Sequence, residues 1–171
     1  MEFNFSNQLT FKDYVQYNKT HSKNTFWGKY EILFYIVLFL FIVTPSLFKF
    51  KNALQIAIVH FIIPFVALVT LYLVDHLIIR PTQYKRHFKS NIRLSKIAYY
   101  KISEDTIEIK NDSEYATLKK DEIYKILFDK DSIYIYTALT LSQIIKKRSL
   151  NSENEFKELV EFIKENYVKT K

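Results

Sequence analysis

The chain reads as a membrane α-helical hairpin joined to a small α+β domain, in which a curved antiparallel sheet is capped by one C-terminal helix. Three observations predict this: two apolar runs, Ile32 to Phe48 and Ala53 to Val74, a later series of short β-branched and aromatic runs, and a capped amphipathic segment at the end. A bilayer core takes roughly 20 apolar residues of helix, with about 17 tolerated, and neither run contains Asp, Glu, Lys or Arg. The expected parts are an N-terminal segment 1–30, a hairpin 31–74 with spans 32–48 and 53–74, a basic juxtamembrane linker 75–97 and a soluble domain 98–171.

The N-terminal segment opens with Glu2-Phe3-Asn4-Phe5, an alternation compatible with a strand. Thr10 then precedes Phe11-Lys12-Asp13 as in a capping box, and Phe11, Tyr14, Val15 and Asn18 follow at helical spacing, which predicts a short amphipathic helix over 11–19. A polar break at 21–25 leads to Trp27 and Tyr30, placed where a headgroup belt wants aromatic rings. The polar, acidic start is unlike a cleaved signal peptide, so both spans are expected to persist.

Pro45, after Thr44, and Pro64 each remove a backbone donor and predict a bend in their span. His60 is the one titratable residue placed well inside the bilayer. An intramembrane histidine is a candidate proton relay or metal ligand, but neither run supplies an acidic partner, which favours a neutral ring hydrogen-bonded across the hairpin or to another helix. Lys12, Lys19, Lys23 and Lys29 before the spans, and Arg80, Lys85, Arg86, Lys89 and Arg93 after them, outnumber Lys49 and Lys51 between them, so both termini are expected in the cytoplasm of a two-span protein of the cell membrane.

In the linker, Lys85, Lys89, Arg93 and Lys96 recur on one helical face beside the stripe Tyr84, Phe88, Ile92. A helix beginning after Pro81 would lie in the headgroup layer, its cations serving as a topology determinant or as a contact for the anionic inner leaflet or a partner.

From Ala98 the pattern turns to strands: 99–102, 106–110, 115–118, 122–128, 132–136 and 140–145, punctuated by Ser103-Glu104-Asp105, Asn111-Asp112-Ser113 and Asp129-Lys130-Asp131. Ser152-Glu153-Asn154-Glu155 is a capping box, and Phe156, Leu159, Val160, Ile163 and Tyr167 mark the core face of a closing helix. Sheet plus C-terminal helix has the outline of a pleckstrin-homology-like domain.

Composition excludes several classes. With no cysteine there is no disulfide framework and no thiolate metal site. A single glycine, Gly28, rules out glycine-rich phosphate loops. The four histidines, His21, His60, His76 and His87, show no paired metal-ligand spacing, and no Gly-x-Ser-x-Gly elbow occurs. No catalytic residues, metal or cofactor are therefore expected. Asp75 and His76 adjoin at the end of the second span, where consecutive helical residues do not face each other, so a helix-end or headgroup contact is expected rather than a proton shuttle. The net charge of +7 clusters beside the spans, where topology accounts for it, so nucleic acid is not an expected partner. The concentrated basic cluster of the soluble domain is Lys146-Lys147-Arg148, either a ligand for lipid phosphate or an acidic partner, or a charged loop that keeps the domain soluble.

Leu9-Thr10-Phe11-Lys12-Asp13-Tyr14-Val15-Gln16-Tyr17, the paired spans, Ile102-Ser103-Glu104-Asp105-Thr106-Ile107, the stretch 118–126 and Ile144-Ile145-Lys146-Lys147-Arg148-Ser149-Leu150 together resemble the YcxB-like family of bacterial membrane proteins. Leu118 departs from the Trp usual in that family, and Lys146 from a Pro before the Lys-Arg pair. The resemblance implies spans followed by a sheet domain and no particular reaction. The expected function is a non-enzymatic membrane protein whose cytoplasmic domain binds a protein partner or the anionic leaflet. The alternative is an immunity protein that neutralises a membrane-acting toxin within the bilayer.

Overall fold

The computed structural model describes residues 1–47, 58–112, 114–139 and 141–168. The link 49–52 and the adjoining ends of both expected spans lie outside the described residues. The chain divides into two compact units, one of Met1–Tyr17 with Ser90–Lys171, the other Asn18–Lys89.

The first unit contains two antiparallel sheets. Strands β1 (Phe3–Gln8), β2 (Ile97–Ile102), β3 (Thr106–Lys110) and β4 (Tyr115–Lys119) form one, in that order; β5 (Lys125–Asp129), β6 (Ser132–Tyr136) and β7 (Ser142–Lys146) form the other. Thus, among the described residues, the expected six-strand meander is split into two sheets, with β1 from the N-terminal segment added to the first. Strand β1 alternates buried and exposed residues along its length and pairs with β2 from Phe3 opposite Ile102 to Gln8 opposite Ile97. Its Phe3 and Phe5 enter the core, where Phe3 meets Phe162 at 5.4 Å and Phe5 stacks on Tyr100 at 5.4 Å. The unit that holds 98–171 also takes an edge strand from the other end of the chain, with Phe3 opposite Ile102, a residue fully buried in the core.

Between β4 and β5 the expected early strand start gives way to a turn, Lys120–Glu122, because the Glu122 carboxylate accepts the Lys119 amide at 2.8 Å. The closing helix, Glu153–Tyr167, begins where Ser152 Oγ accepts the Glu155 amide at 3.1 Å. It buries Phe156, Leu159, Ile163 and Tyr167 as expected, and Phe162 as well, while Val160 is half-buried at the rim.

Helix α1 (Phe11–Asn24) runs through most of the expected polar break, since solvated Ser, Lys and Asn residues suit an exposed turn, and it passes from the first unit into the second. A short α2 (Phe26–Lys29) follows, with Thr25 Oγ1 accepting the Gly28 amide at 3.2 Å. The sole glycine sits where any Cβ would lie 1.8 Å from the Ser22 carbonyl oxygen. Phe26 and Trp27 are about 70 % exposed, as headgroup-facing rings would be.

The longer helices of the second unit are α3 (Glu31–Leu47), α4 (Ile63–Val74) and α5 (Arg80–Ser90). Among the described residues one continuous helix, Val59–Ser90, is long and apolar enough to cross a membrane, and none of its apolar window is buried; the apolar part of α3, Glu31–Pro45, is shorter. In α3, Thr44 donates its hydroxyl to the Leu40 carbonyl at 2.6 Å beside Pro45. Pro64 and Pro81 share a second device: each lies two residues past a π-helical turn, Ile58–Ile62 and Asp75–Ile79 respectively. The wider turn makes room for the proline ring and for the carbonyl that loses its donor. His60 is half-buried in the first of these turns.

The helix expected after Pro81 is present as α5. Pro81 lies in the first turn of α5, which continues the apolar helix Val59–Ser90 rather than starting a separate helix. Lys85 and Lys89 are exposed one turn apart on it, whereas Arg93 falls in a separate 3-10 turn, Ile92–Ser95, so the four-cation face is broken. The two basic clusters belong to different units apart from Arg93.

Candidate functional site

The expected site, Lys146-Lys147-Arg148, lies where β7 ends and the 3-10 turn Lys147–Ser149 leads to the closing helix. With Lys12, Asp13, Gln16, Asp131, Ser152 and Glu153 it lines a polar cleft of about 550 Å³. The three cations are engaged within the unit.

Lys146 is not a loop residue. Both faces of β7 are covered toward its end, so the lysine is 5 % exposed. Its ammonium donates to Ser132 Oγ at 2.6 Å and Gln16 Oε1 at 3.2 Å, and stands 3.6 Å from Asp13 Oδ1. Arg148 forks onto the same carboxylate, donating to Asp13 Oδ1 at 2.7 Å and to Oδ2, and adds a bond to the Gln8 carbonyl at 3.0 Å. Lys147 pairs with Glu153 at 3.0 Å.

Asp13 is therefore the centre of the arrangement. It is 4 % exposed, and its Oδ2 also accepts the Thr10 amide at 2.7 Å and the Thr10 hydroxyl at 2.6 Å. Burial works against its charge, but the hydrogen bonds from Arg148 and Thr10 and the Arg148 charge outweigh it and hold the carboxyl well below the usual carboxylate range. The same contact raises the Arg148 guanidinium. Sequence reasoning saw Asp13 only as the acidic member of a helix start; its arginine is 135 residues away in the chain, and no local pattern announces it. Asn7 makes a second fastening: its Nδ2 donates to the Ile144 carbonyl at 2.6 Å, and its Oδ1 accepts from Ser149 Oγ at 2.6 Å.

In this setting the basic run ties residues 7–16 to 144–149, and Lys146 is a buried strand residue rather than part of the charged loop offered as one reading. What faces solvent is Lys12, half of Arg148 and the edge of Lys147. The cleft carries cations at its rim and compensated charge at its floor, a surface able to meet phosphate or carboxylate weakly through charge-assisted hydrogen bonds.

The second unit has its own charged cluster. Arg80 donates its Nε to Asp75 Oδ2 at 2.6 Å and its terminal nitrogens to the Glu31 carboxylate, with His76 alongside. Ligand-type atoms of Glu31, Asp75 and His76 lie within 4.8 Å of one another, but the guanidinium of Arg80 occupies both carboxylates, which makes this an ion-pair cluster rather than a vacant metal site.

No curated protein and no solved structure matches the chain. One family does: residues 102–163, from the last residue of β2 into the closing helix, match the model described as YcxB-like protein, so that the part of the chain holding β3 to β7 is YcxB-like.

Proposed function

We propose that the chain is a two-span protein of the cell membrane with both termini in the cytoplasm, whose pleckstrin-homology-like unit binds, without chemistry of its own, the anionic leaflet or an acidic protein partner held against it. The observation that carries this reading is the pairing of β1 with β2. One strand precedes the hairpin and the other follows it, yet both belong to one folded unit. A single crossing between them would leave the strands on opposite sides of the bilayer; an even number of crossings keeps them together. Two spans satisfy this, and one does not.

The Lys and Arg excess flanking the hairpin favours the cytoplasmic side. The two-sheet, seven-strand arrangement with a C-terminal helix supports the pleckstrin-homology-like reading. Lys12, Lys85, Lys89 and Arg148 present exposed charge for an anionic surface, each contributing about 1 kcal/mol at most near a leaflet.

Two measurements test the proposal. Reporter fusions after residue 171 and within 49–52 should report opposite sides, with the C-terminus inside; a C-terminus outside the cytoplasm overturns the orientation. In proteoliposomes of the full chain, Lys12 and Lys147 should be shielded from an amine-reactive reagent by anionic but not neutral lipid. That shielding should vanish as salt shortens the Debye length from about 10 Å to roughly 3 Å. Equal labelling in both lipids removes the leaflet and leaves a protein partner.

A further inference from the structure

The charged cluster at the base of the hairpin has a geometry that goes beyond an ion pair. Glu31 opens α3; Asp75 and His76 lie in the second π turn; Arg80 opens α5. Residues five apart point to different sides of a 3.6-residue turn. In the π turn they stack, with the Arg80 amide bonded to the Asp75 carbonyl, which brings the guanidinium over the Asp75 carboxylate and across to Glu31. Two carboxylates thus share one guanidinium, and the set is one positive charge short.

His76 stands in the gap. Its Nδ1 is 3.1 Å from the Tyr72 carbonyl oxygen. A carbonyl only accepts, so a hydrogen on this nitrogen completes the bond, and in that tautomer the neutral ring turns a bare Nε2 toward Glu31 Oε2, 3.7 Å away. Lone pair and carboxylate then face each other. A proton added at Nε2 converts that opposition into an ion pair, with the other side of the ring 3.7 Å from Asp75 Oδ2. The ring also lies over Tyr72, centroids 4.0 Å apart, and an imidazolium gains there from the aromatic face. Tyr35, edge-on to Tyr72 at 5.5 Å, completes the groups around it from α3. A cleft of about 380 Å³ lined by Glu31, Arg80, Gln83 and Tyr84 among others lies beside the cluster.

We propose that His76 is a proton-operated latch between the two arms of the hairpin: protonation of Nε2 supplies the missing positive charge and fastens the start of α3 to the Asp75–Arg80 turn, and deprotonation loosens it. One proton balances the cluster, whereas a divalent cation would have to displace the guanidinium from both carboxylates. The inference concerns the hairpin alone and is independent of what the folded unit binds.

The chain has no cysteine, so Leu33→Cys and Leu71→Cys, on exposed positions of α3 and α4, place one spin label on each arm of the full-length protein in nanodiscs. Imidazole is the side chain that changes charge between about pH 5 and pH 8. The distance distribution should be narrow at the acid end and broaden at the alkaline end. His76→Gln and Glu31→Gln should each leave it broad and unresponsive to pH. A distribution that ignores pH in the parent, or still responds in His76→Gln, overturns the latch. Nitrogen NMR of labelled histidine in the unsubstituted chain decides the matter even if a variant fails to insert: hydrogen on Nδ1 at the alkaline end supports the proposal, and hydrogen on Nε2 overturns it.

Discussion

The two units handle the same residue types in opposite ways. In the sheet unit, aromatic and aliphatic side chains point inward, with Ile102, Ile133 and Leu159 fully buried, and the charged pair Lys146 and Asp13 is buried with them. In the hairpin unit, Phe41, Val66 and Leu71 are more than half exposed, and charge gathers at one end around Arg80. On the membrane reading proposed above, the difference is one of solvent. Water drives apolar surface inward and makes a buried charge depend on its partners. A bilayer gives no such push, so an apolar side chain facing outward costs nothing there.

The largest effect expected from this contrast is loss of the whole sheet unit on removing residues 1–8. Without β1 the edge of β2 opens over Ile102 and Ile107, and near-ultraviolet circular dichroism and the cooperative transition should both disappear while the hairpin still partitions into membranes. A fragment of 98–171 that unfolds cooperatively would refute the two-ended construction. Next comes a matched pair of truncations. Phe156→Ala should cost the sheet unit about 4 kcal/mol, as for a buried aromatic, and Phe41→Ala, 77 % exposed, should stay within about 0.5 kcal/mol for the hairpin in nanodiscs. Equal costs would show that the exposed hairpin surface is packed against protein.

Asp13→Asn follows, at about 3 kcal/mol, because it leaves the buried Lys146 charge without its anion. The same carboxylate sets a pH limit. Its folded-state value is depressed, so its contribution is fully present above the ordinary Asp range of about 4 and is lost as pH falls toward its folded value. Acid unfolding of the Asn variant should therefore be shallower than that of the parent. Smallest is Arg148→Gln, about 1 kcal/mol, since half of that side chain is in water. A cost as large as that of Asp13→Asn would identify Arg148, not Lys146, as the essential partner.

Much of the fold was legible where local signals were strong. Strand 106–110 and strand 132–136 appear with the expected bounds, because alternating β-branched residues were bracketed by Asx and Ser turns. The Ser152 cap and its helix follow from the same local rules. What stayed hidden was held by distant partners. Lys146 looks like surface in a Lys-Lys-Arg run, and only the covering of both faces of β7 buries it. Pro81 looks like a helix start because the first turn tolerates proline; the π turn that lets the helix run through it leaves no residue signature. Glu31 and Asp75 meet through the pairing of two helices, which an all-round apolar run does not register.

The insertion of the hairpin between β1 and β2 also orders events during synthesis. The first strand emerges long before its neighbour and has nothing to pair with until residues 97–102 have been made. Closure of the sheet is thus a late, non-local step that must wait for a long intervening segment, the kind of contact that slows folding and exposes an unpaired edge meanwhile. On the two-span reading proposed above, a chain whose hairpin inserted with only one arm would carry its first strand to the wrong side, fail to complete its sheet, and leave the C-terminal part open to proteases. On that reading the strand order doubles as a check that membrane insertion was completed.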